Sequence, residues 1–305
     1  MAAVSVTVPA TTANLGPGYD SFGLALKLYN RFSAQPASEW AVEIVGEGAG
    51  VLATDATNRV ARAMSHVFSE AGEPERAAHV FSVNRIPPGQ GLGSSAAAIV
   101  GGMLLADLMC DIPLGKDRIF EMAVELEGHP DNVAAALFGG FTMSWDDEGP
   151  RCVSVDPRRG IAVVAVVSEL PLSTEEARAV LPDVVPHADA AFNAGRAGLL
   201  AAGLALGRGD LLGPGLSDRL HEPYRISAVP DLERVRAALV KAGAAGAALS
   251  GAGPTVVGFV DGHDDERALR AAEGVAERAT ELLADALGRR RPVVLPIDRR
   301  GAVLE

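Results

Sequence analysis

The segment Pro87-Pro88-Gly89-Gln90-Gly91-Leu92-Gly93-Ser94-Ser95-Ala96-Ala97 decides how this chain is read. It follows the run Val80–Ile86, a strand broken by the two prolines, and opens the apolar stretch Ser95–Met109, a buried helix. Glycines at alternate positions let a backbone approach a ligand closely with its N–H groups exposed. Ser94 and Ser95 stand at the helix start, where unpaired N–H groups and the positive dipole end favour phosphate. The segment is not a Walker A loop, because no lysine follows its last glycine, and its G-x-G-x-G spacing is not the dinucleotide fingerprint. On its residues alone it is either a phosphate cradle of backbone and hydroxyls or a Gly-rich turn with a serine N-cap.

Working outward, Val4, Val6 and Val8 alternate up to Pro9 as a half-buried strand, and Phe22–Leu28 and Trp40–Val45 follow as strands. Helices are expected over Thr57–Ala71 and Pro113–Leu126, and a strand over Phe138–Trp145 before the turn Asp146-Asp147-Glu148-Gly149-Pro150. Past that turn, Ile161–Ser168 is a continuous β-branched run, a strand covered on both faces. Helices Ala188–Gly207, Asp231–Ala242 and Asp264–Leu287 and strands Thr255–Val260 and Pro292–Ile297 complete the pattern. Irregular alternation with hairpin-like neighbours favours α+β over a doubly wound parallel sheet.

The chain has 305 residues, and at roughly 150 per domain that means two domains or one large one. Apolar residues make up 48%, enough for a sizeable core. Apolar runs such as Ile161–Val167 fall far short of the roughly 20 residues a membrane helix needs. The start MAAVSVTVPA has no basic region ahead of an apolar core, so a cytoplasmic protein is expected. Net charge is −12, and the longest basic run is Arg289–Arg291, which argues against nucleic-acid and membrane partners. Cys110 and Cys152 have neither metal-ligand nor redox spacing and read as reduced thiols.

Pro-x-x-x-Gly-Leu-Gly-Ser-Ser-Ala resembles the ATP-binding motif of the GHMP small-molecule kinases. Two further segments carry the same resemblance: Val8-Pro9-Ala10-Thr11-Thr12-Ala13-Asn14-Leu15-Gly16-Pro17-Gly18-Tyr19-Asp20-Ser21, and the second Gly-rich turn Leu249-Ser250-Gly251-Ala252-Gly253-Pro254-Thr255. The first of these looks like the branch of the family that acts on homoserine, with Tyr19 where Phe is more usual. Ser173–Arg178 and Ser217–Arg225 resemble segments of that branch that each deliver an arginine to the substrate carboxylate. The resemblance implies a two-domain α+β fold, with a ribosomal-protein-S5-like N-terminal domain over 1–155 and a ferredoxin-like C-terminal domain over 156–305. It implies transfer of the ATP γ-phosphate to the side-chain hydroxyl of L-homoserine with Mg²⁺, on the route to threonine, and a homodimer by family likeness alone. Another small alcohol as acceptor, or an inactive nucleotide-binding relative, are the other readings.

Site residues follow from that resemblance and from what the substrate requires. Guanidinium forks suit a carboxylate, so Arg178 and Arg225 are its expected partners, and Asp20 and Asn14 are expected on the ammonium. Pro87 through Ala97 together with Ser250, Gly251 and Gly253 are expected around ATP, with Asn58 and Asn84 lining the base pocket. The family's metal glutamate is placed at Glu125, partnered by Ser95. Glu125 lies about 60° beyond Met122 on a helical projection, whereas Glu121 and Glu127 are expected in solvent. Gly128-His129-Pro130-Asp131-Asn132 matches the substrate-side loop. Mevalonate-type members carry an aspartate base where this chain has Asn132, and an amide cannot accept a proton at neutral pH. Thr174, Asn132 and Asn14 are the expected catalytic contacts, with His129 and Asp131 beside the substrate and no dedicated base.

Overall fold

A computed structural model describes residues 3–168, 172–229, 231–284 and 291–305. The first half builds one sheet and its helical cover. Its elements are β1 (Val4–Ala13), β2 (Phe22–Ala37), β3 (Ala41–Gly46), α1 (Arg59–Glu70), β4 (Ala77–Asn84), α2 (Ser94–Met109), α3 (Lys116–Glu127), α4 (Asp131–Phe138), β5 (Phe141–Asp146) and β6 (Pro150–Val155). The second half holds β7 (Ile161–Val167), α5 (Thr174–Ala179), α6 (His187–Leu206), α7 (Gly209–Gly215), α8 (Glu222–Arg225) and α9 (Leu232–Lys241). It ends with β8 (Gly246–Leu249), β9 (Val256–Asp261), α10 (Asp265–Leu282), β10 (Arg291–Pro296) and β11 (Val303–Leu304).

The seven-stranded sheet runs β11-β1-β2-β4-β3, with β5 paired to the near end of β2 and β6 to β5. β2 continues to Ala37, well beyond the expected Leu28, because Arg31, Ser33 and Gln35 on its outer face alternate with buried Asn30, Phe32 and Ala34. Its pairing with β1 shifts register at Pro9/Ala10, which hides that alternation when the strands are read separately. The four-stranded antiparallel sheet has the order β10-β7-β9-β8. Traced as β7, α9, β8, β9, α10, β10, it is the β-α-β-β-α-β arrangement with α5 to α8 inserted after its first strand.

β7 is buried on both faces, as its unbroken apolar run requires. Val163 and Ala165 join the large core with Leu200, Leu204 and Phe141, and Val164 and Val166 pack with Val235, Leu239 and Val275. The link from β6 to β7 contains the boundary expected at 155/156. The tail departs from that division, because Val303–Leu304 pairs with β1 in the first sheet. The strand expected over Phe138–Trp145 begins at Phe141 as β5, and Phe138 instead ends the short helix α4, which opens at Asp131 in the segment matched to the substrate-side loop. The end of the expected helix, 285–287, lies outside the described residues.

Candidate active site

The three glycine-bearing segments, far apart in sequence, are hydrogen-bonded into one framework. Thr11 N–H donates to the Leu92 carbonyl at 3.1 Å, and Gly251 N–H to the Ala13 carbonyl at 3.0 Å. The Ser250 hydroxyl donates to the Gly91 carbonyl at 2.6 Å and lies 2.9 Å from the Thr12 hydroxyl. Asn14, at φ +65°, donates from Nδ2 to the Gly251 carbonyl at 2.8 Å and accepts the Asp20 N–H at 3.0 Å. Gly93 closes the loop in the left-handed region at φ +71°, where an added Cβ would collide with the Thr11 hydroxyl. The first turn bond of α2 runs from Ala97 N–H to the Gly93 carbonyl. The N–H groups of Ser94, Ser95 and Ala96 are therefore without an intrahelical partner, at the positive end of a 16-residue helix.

This geometry sorts the expected nucleotide residues. Pro88, Gly89, Gly91, Gly93, Ser94, Ser95, Gly251 and Gly253 line the groove, and Pro87 and Gln90 are half-buried in the same loop. Leu92, Ala96 and Ala97 are corrected to core residues whose side chains are sealed inside and which offer the groove only backbone. Ser250 is corrected likewise: it is fully buried and its hydroxyl is committed to Gly91 and Thr12. Asn58 caps α1, accepting Val60 N–H at 2.9 Å and donating to Ala53, and still lines the same pocket as Asn84. That pocket has apolar walls from Phe32, Ile44 and Leu52, and two of its buried polar atoms, Asn84 Oδ1 and Ser82 Oγ, have no hydrogen-bond partner among the described residues. A pocket of mixed apolar and polar lining with two orphaned polar groups suits a purine base.

Across the phosphate loop, one cleft is lined by Asn14, Asp20, His129, Asp131, Asn132, Thr174, Arg178 and Arg225. The expected substrate residues therefore do converge. Arg178 makes a bidentate pair with Asp20, at 2.5 and 3.0 Å, and donates to the Tyr19 hydroxyl at 2.8 Å. Arg225 is almost wholly buried and is held by the carbonyls of Ala177 (3.0 Å) and Gly251 (3.2 Å) and by His221 Nδ1 (3.0 Å). His221 must accept at Nδ1, so its proton is on Nε2, which donates to the Gly16 carbonyl at 2.8 Å. Burial holds that imidazole neutral by pushing its pKa down to about 4. His129 behaves oppositely: burial works against its charge, but the 2.7 Å hydrogen bond to Asp131 and that carboxylate's charge raise its pKa. Asp131 Oδ1 also accepts the Asn132 N–H at 2.6 Å, and the Asn132 side-chain Oδ1 accepts the Thr11 hydroxyl at 2.7 Å. The Thr174 hydroxyl opens α5 on the wall of this cleft.

The metal assignment is corrected. Glu125 is 57% exposed on the outer face of α3, near His66 and Arg118 at 3.8 Å each. Glu127 is the buried carboxylate, 8% exposed, and accepts a hydrogen bond from the Ser95 hydroxyl inside the cleft. Arg59, the first residue of α1, reaches both groups, at 2.5 Å from Ser95 Oγ and 3.2 Å from Glu127 Oε2. Sequence reading missed Arg59, Thr11, Tyr19, Ser82 and His221 as well. Of these, Thr11, Tyr19 and His221 sat in segments that had already drawn attention.

Residues 58–140 match the model of the GHMP kinase N-terminal domain, and 191–278 that of the GHMP kinase C-terminal domain. The chain is a GHMP kinase. It is 44% identical to a homoserine kinase of Clavibacter michiganensis over 91% of this chain and 88% of that one. It is also 44% identical to a homoserine kinase of Streptomyces avermitilis, over 94% and 95%. The crystal structure of a homoserine kinase from Cytophaga hutchinsonii superposes with a TM-score of 0.86 at 25% identity, covering 99% of this chain and 97% of the other. A mevalonate kinase of Methanococcus jannaschii, 13% identical with a TM-score of 0.68 over 96% and 98%, shares the fold alone. This GHMP kinase is an ATP-dependent small-molecule kinase, and no helix among its described residues is long and apolar enough to cross a membrane.

Proposed function

We propose that this GHMP kinase transfers the γ-phosphate of ATP to the side-chain hydroxyl of L-homoserine, giving O-phospho-L-homoserine and ADP. The observation that carries the reading is the Asp20–Arg178 pair with Arg225 beside it, on the wall facing the phosphate loop. One carboxylate and two guanidiniums complement an amino-acid zwitterion. The substrate ammonium takes Asp20, and its carboxylate takes Arg178 and Arg225, exchanging an internal ion pair for two external ones. Mevalonate carries a carboxylate but no ammonium and would leave Asp20 unanswered. The names of the relatives at 44% identity support the same substrate.

The base of ATP lies in the Asn58–Asn84 pocket, with its phosphates on the α2 N-terminus. Ser95 and Glu127 fit a hard cation: a hydroxyl and a carboxylate, with no cluster of three metal-ligating side chains among the described residues, leave the remaining positions to phosphate oxygens and water. Mg²⁺ held there supplies charge neutralisation on the β- and γ-phosphates. The chain's own residues do the positioning. Arg178 and Arg225 fix the substrate backbone, and Thr174 and the Asn132 amide are in reach of the reacting hydroxyl. Asp131 holds His129 and the Asn132 N–H on Oδ1 and orients them. Transfer is direct and in line, without a phosphoenzyme, and it needs no dedicated carboxylate base because a loose transition state demands little proton removal early. A coupled ADP-release assay with homoserine, serine, threonine and mevalonate side by side tests the assignment. Homoserine should give the highest kcat/KM, and preference for mevalonate would overturn it.

A further inference from the structure

Three helix ends meet at the Ser95–Glu127 pair, and two of them carry a charge of the unfavourable sign. Glu127 is the last residue of α3, where the helix dipole is negative, and it is almost completely buried. Arg59 is the first residue of α1, where the dipole is positive, and no acidic side chain shares that first turn. Neither placement stabilises its own helix. Each is explained by the other, since Arg59 Nη1 lies 2.5 Å from Ser95 Oγ and 3.2 Å from Glu127 Oε2. One nitrogen thus sits on the two oxygens assigned above to the metal. The guanidinium is 54% exposed and stands between the base pocket and the phosphate groove, both of which it lines, so it is free to leave.

We propose that Arg59 is a stand-in cation: it occupies the Ser95 and Glu127 oxygens in the metal-free enzyme and must be displaced when the metal binds. The proposal rests on the reading of Ser95 and Glu127 as metal ligands. The guanidinium keeps a buried carboxylate compensated at the wrong end of a helix and holds both oxygens converged. It does so at the expense of metal affinity, because binding the metal breaks its contacts. Arg59 therefore sets how much metal the enzyme needs, as a positioning residue outside the chemical step.

The test measures metal binding without turnover. Mn²⁺, which takes the same oxygen ligands, is titrated into the full chain saturated with ADP and followed by water-proton relaxation enhancement. Arg59→Met should bind Mn²⁺ about 3- to 10-fold more tightly than the wild type, the range for release from one partly exposed ion pair. Arg59→Lys, which keeps the charge on a different head group, should fall between them. In EDTA, Arg59→Met should melt at a lower temperature than the wild type, and saturating Mn²⁺ with ADP should remove the difference. Unchanged or weaker Mn²⁺ binding by Arg59→Met overturns the stand-in role. Glu127→Gln separates the two readings: if it binds Mn²⁺ as the wild type does, the metal assignment itself is wrong. If Glu127→Gln loses the metal while Arg59→Met is neutral, only the proposal about Arg59 fails.

Discussion

Glu127 and Glu125 differ by two positions and have opposite fates. At about 100° per residue, Glu127 falls some 20° from Phe120 and 40° from Ala123, both buried, whereas Glu125 lies on the far side of that stripe. Counting Phe120 in the apolar stripe would have selected Glu127 from sequence alone. The expected consequence is a large asymmetry in steady-state kinetics. Glu127→Gln should lower kcat at least about 100-fold by removing charge compensation from the transferring phosphoryl group. Glu125→Gln, in solvent, should stay within about twofold. The arginines show the limit of this kind of reading. A sequence segment can nominate Arg178 and Arg225, but not that Arg178 is already paired with Asp20, nor that Arg225 depends on a neutral His221.

Among the elements, those with strong periodicity or punctuation were legible, and those whose form depends on a neighbour were not. The buried run of β7 and the helix α2 after its glycine loop can be read directly. The eight-residue helix α4 cannot, because Val133–Leu137 is apolar all round and carries no face. α5 is shorter still, six residues, yet it bears both Thr174 and Arg178, and its stability comes from its start. Ser173 accepts Glu176 N–H at 3.1 Å while Glu176 accepts Ser173 N–H at 3.1 Å, a complete capping box, and Leu172 N–H donates to Gly89 of the phosphate loop at 3.0 Å. Ser173→Ala should cost α5 about 1 kcal/mol. On the proposed reading α5 grips the acceptor, so KM for homoserine should rise by up to about fivefold and by more than KM for ATP. Parallel kinetics with each substrate varied would show it, and equal rises in both constants would contradict the division of labour.

At the scale of the molecule, a buried charged turn joins the two halves. Asp218 accepts the backbone N–H groups of His221 and Glu222, His221 reaches Gly16 in the first motif, and Glu222 Oε1 accepts Leu249 N–H at 2.6 Å in the second sheet. None of this seam was legible in the sequence, since its partners lie far apart along the chain. Two titrations act on it with opposite signs. His221, pushed down to about 4, destabilises the fold as pH falls from about 6.5, because the unfolded chain takes up the proton first. Glu222, fully buried, is raised by burial to about 7 against the opposing charge of Arg236, whose Nη1 lies 3.1 Å from Oε2 without hydrogen-bond geometry. Its folded state takes up the proton first, so its contribution is full below about 4.5 and is lost as pH rises through about 7. Replacing Glu222 by Gln removes that proton uptake and leaves His221 in place. Chemical denaturation of both proteins between pH 5 and 8 should therefore show the wild type gaining on Glu222→Gln as pH falls, by on the order of 3 kcal/mol across the window. A difference that did not change with pH would mean that Arg236 keeps Glu222 ionised inside the fold, and the seam would then be an ion pair.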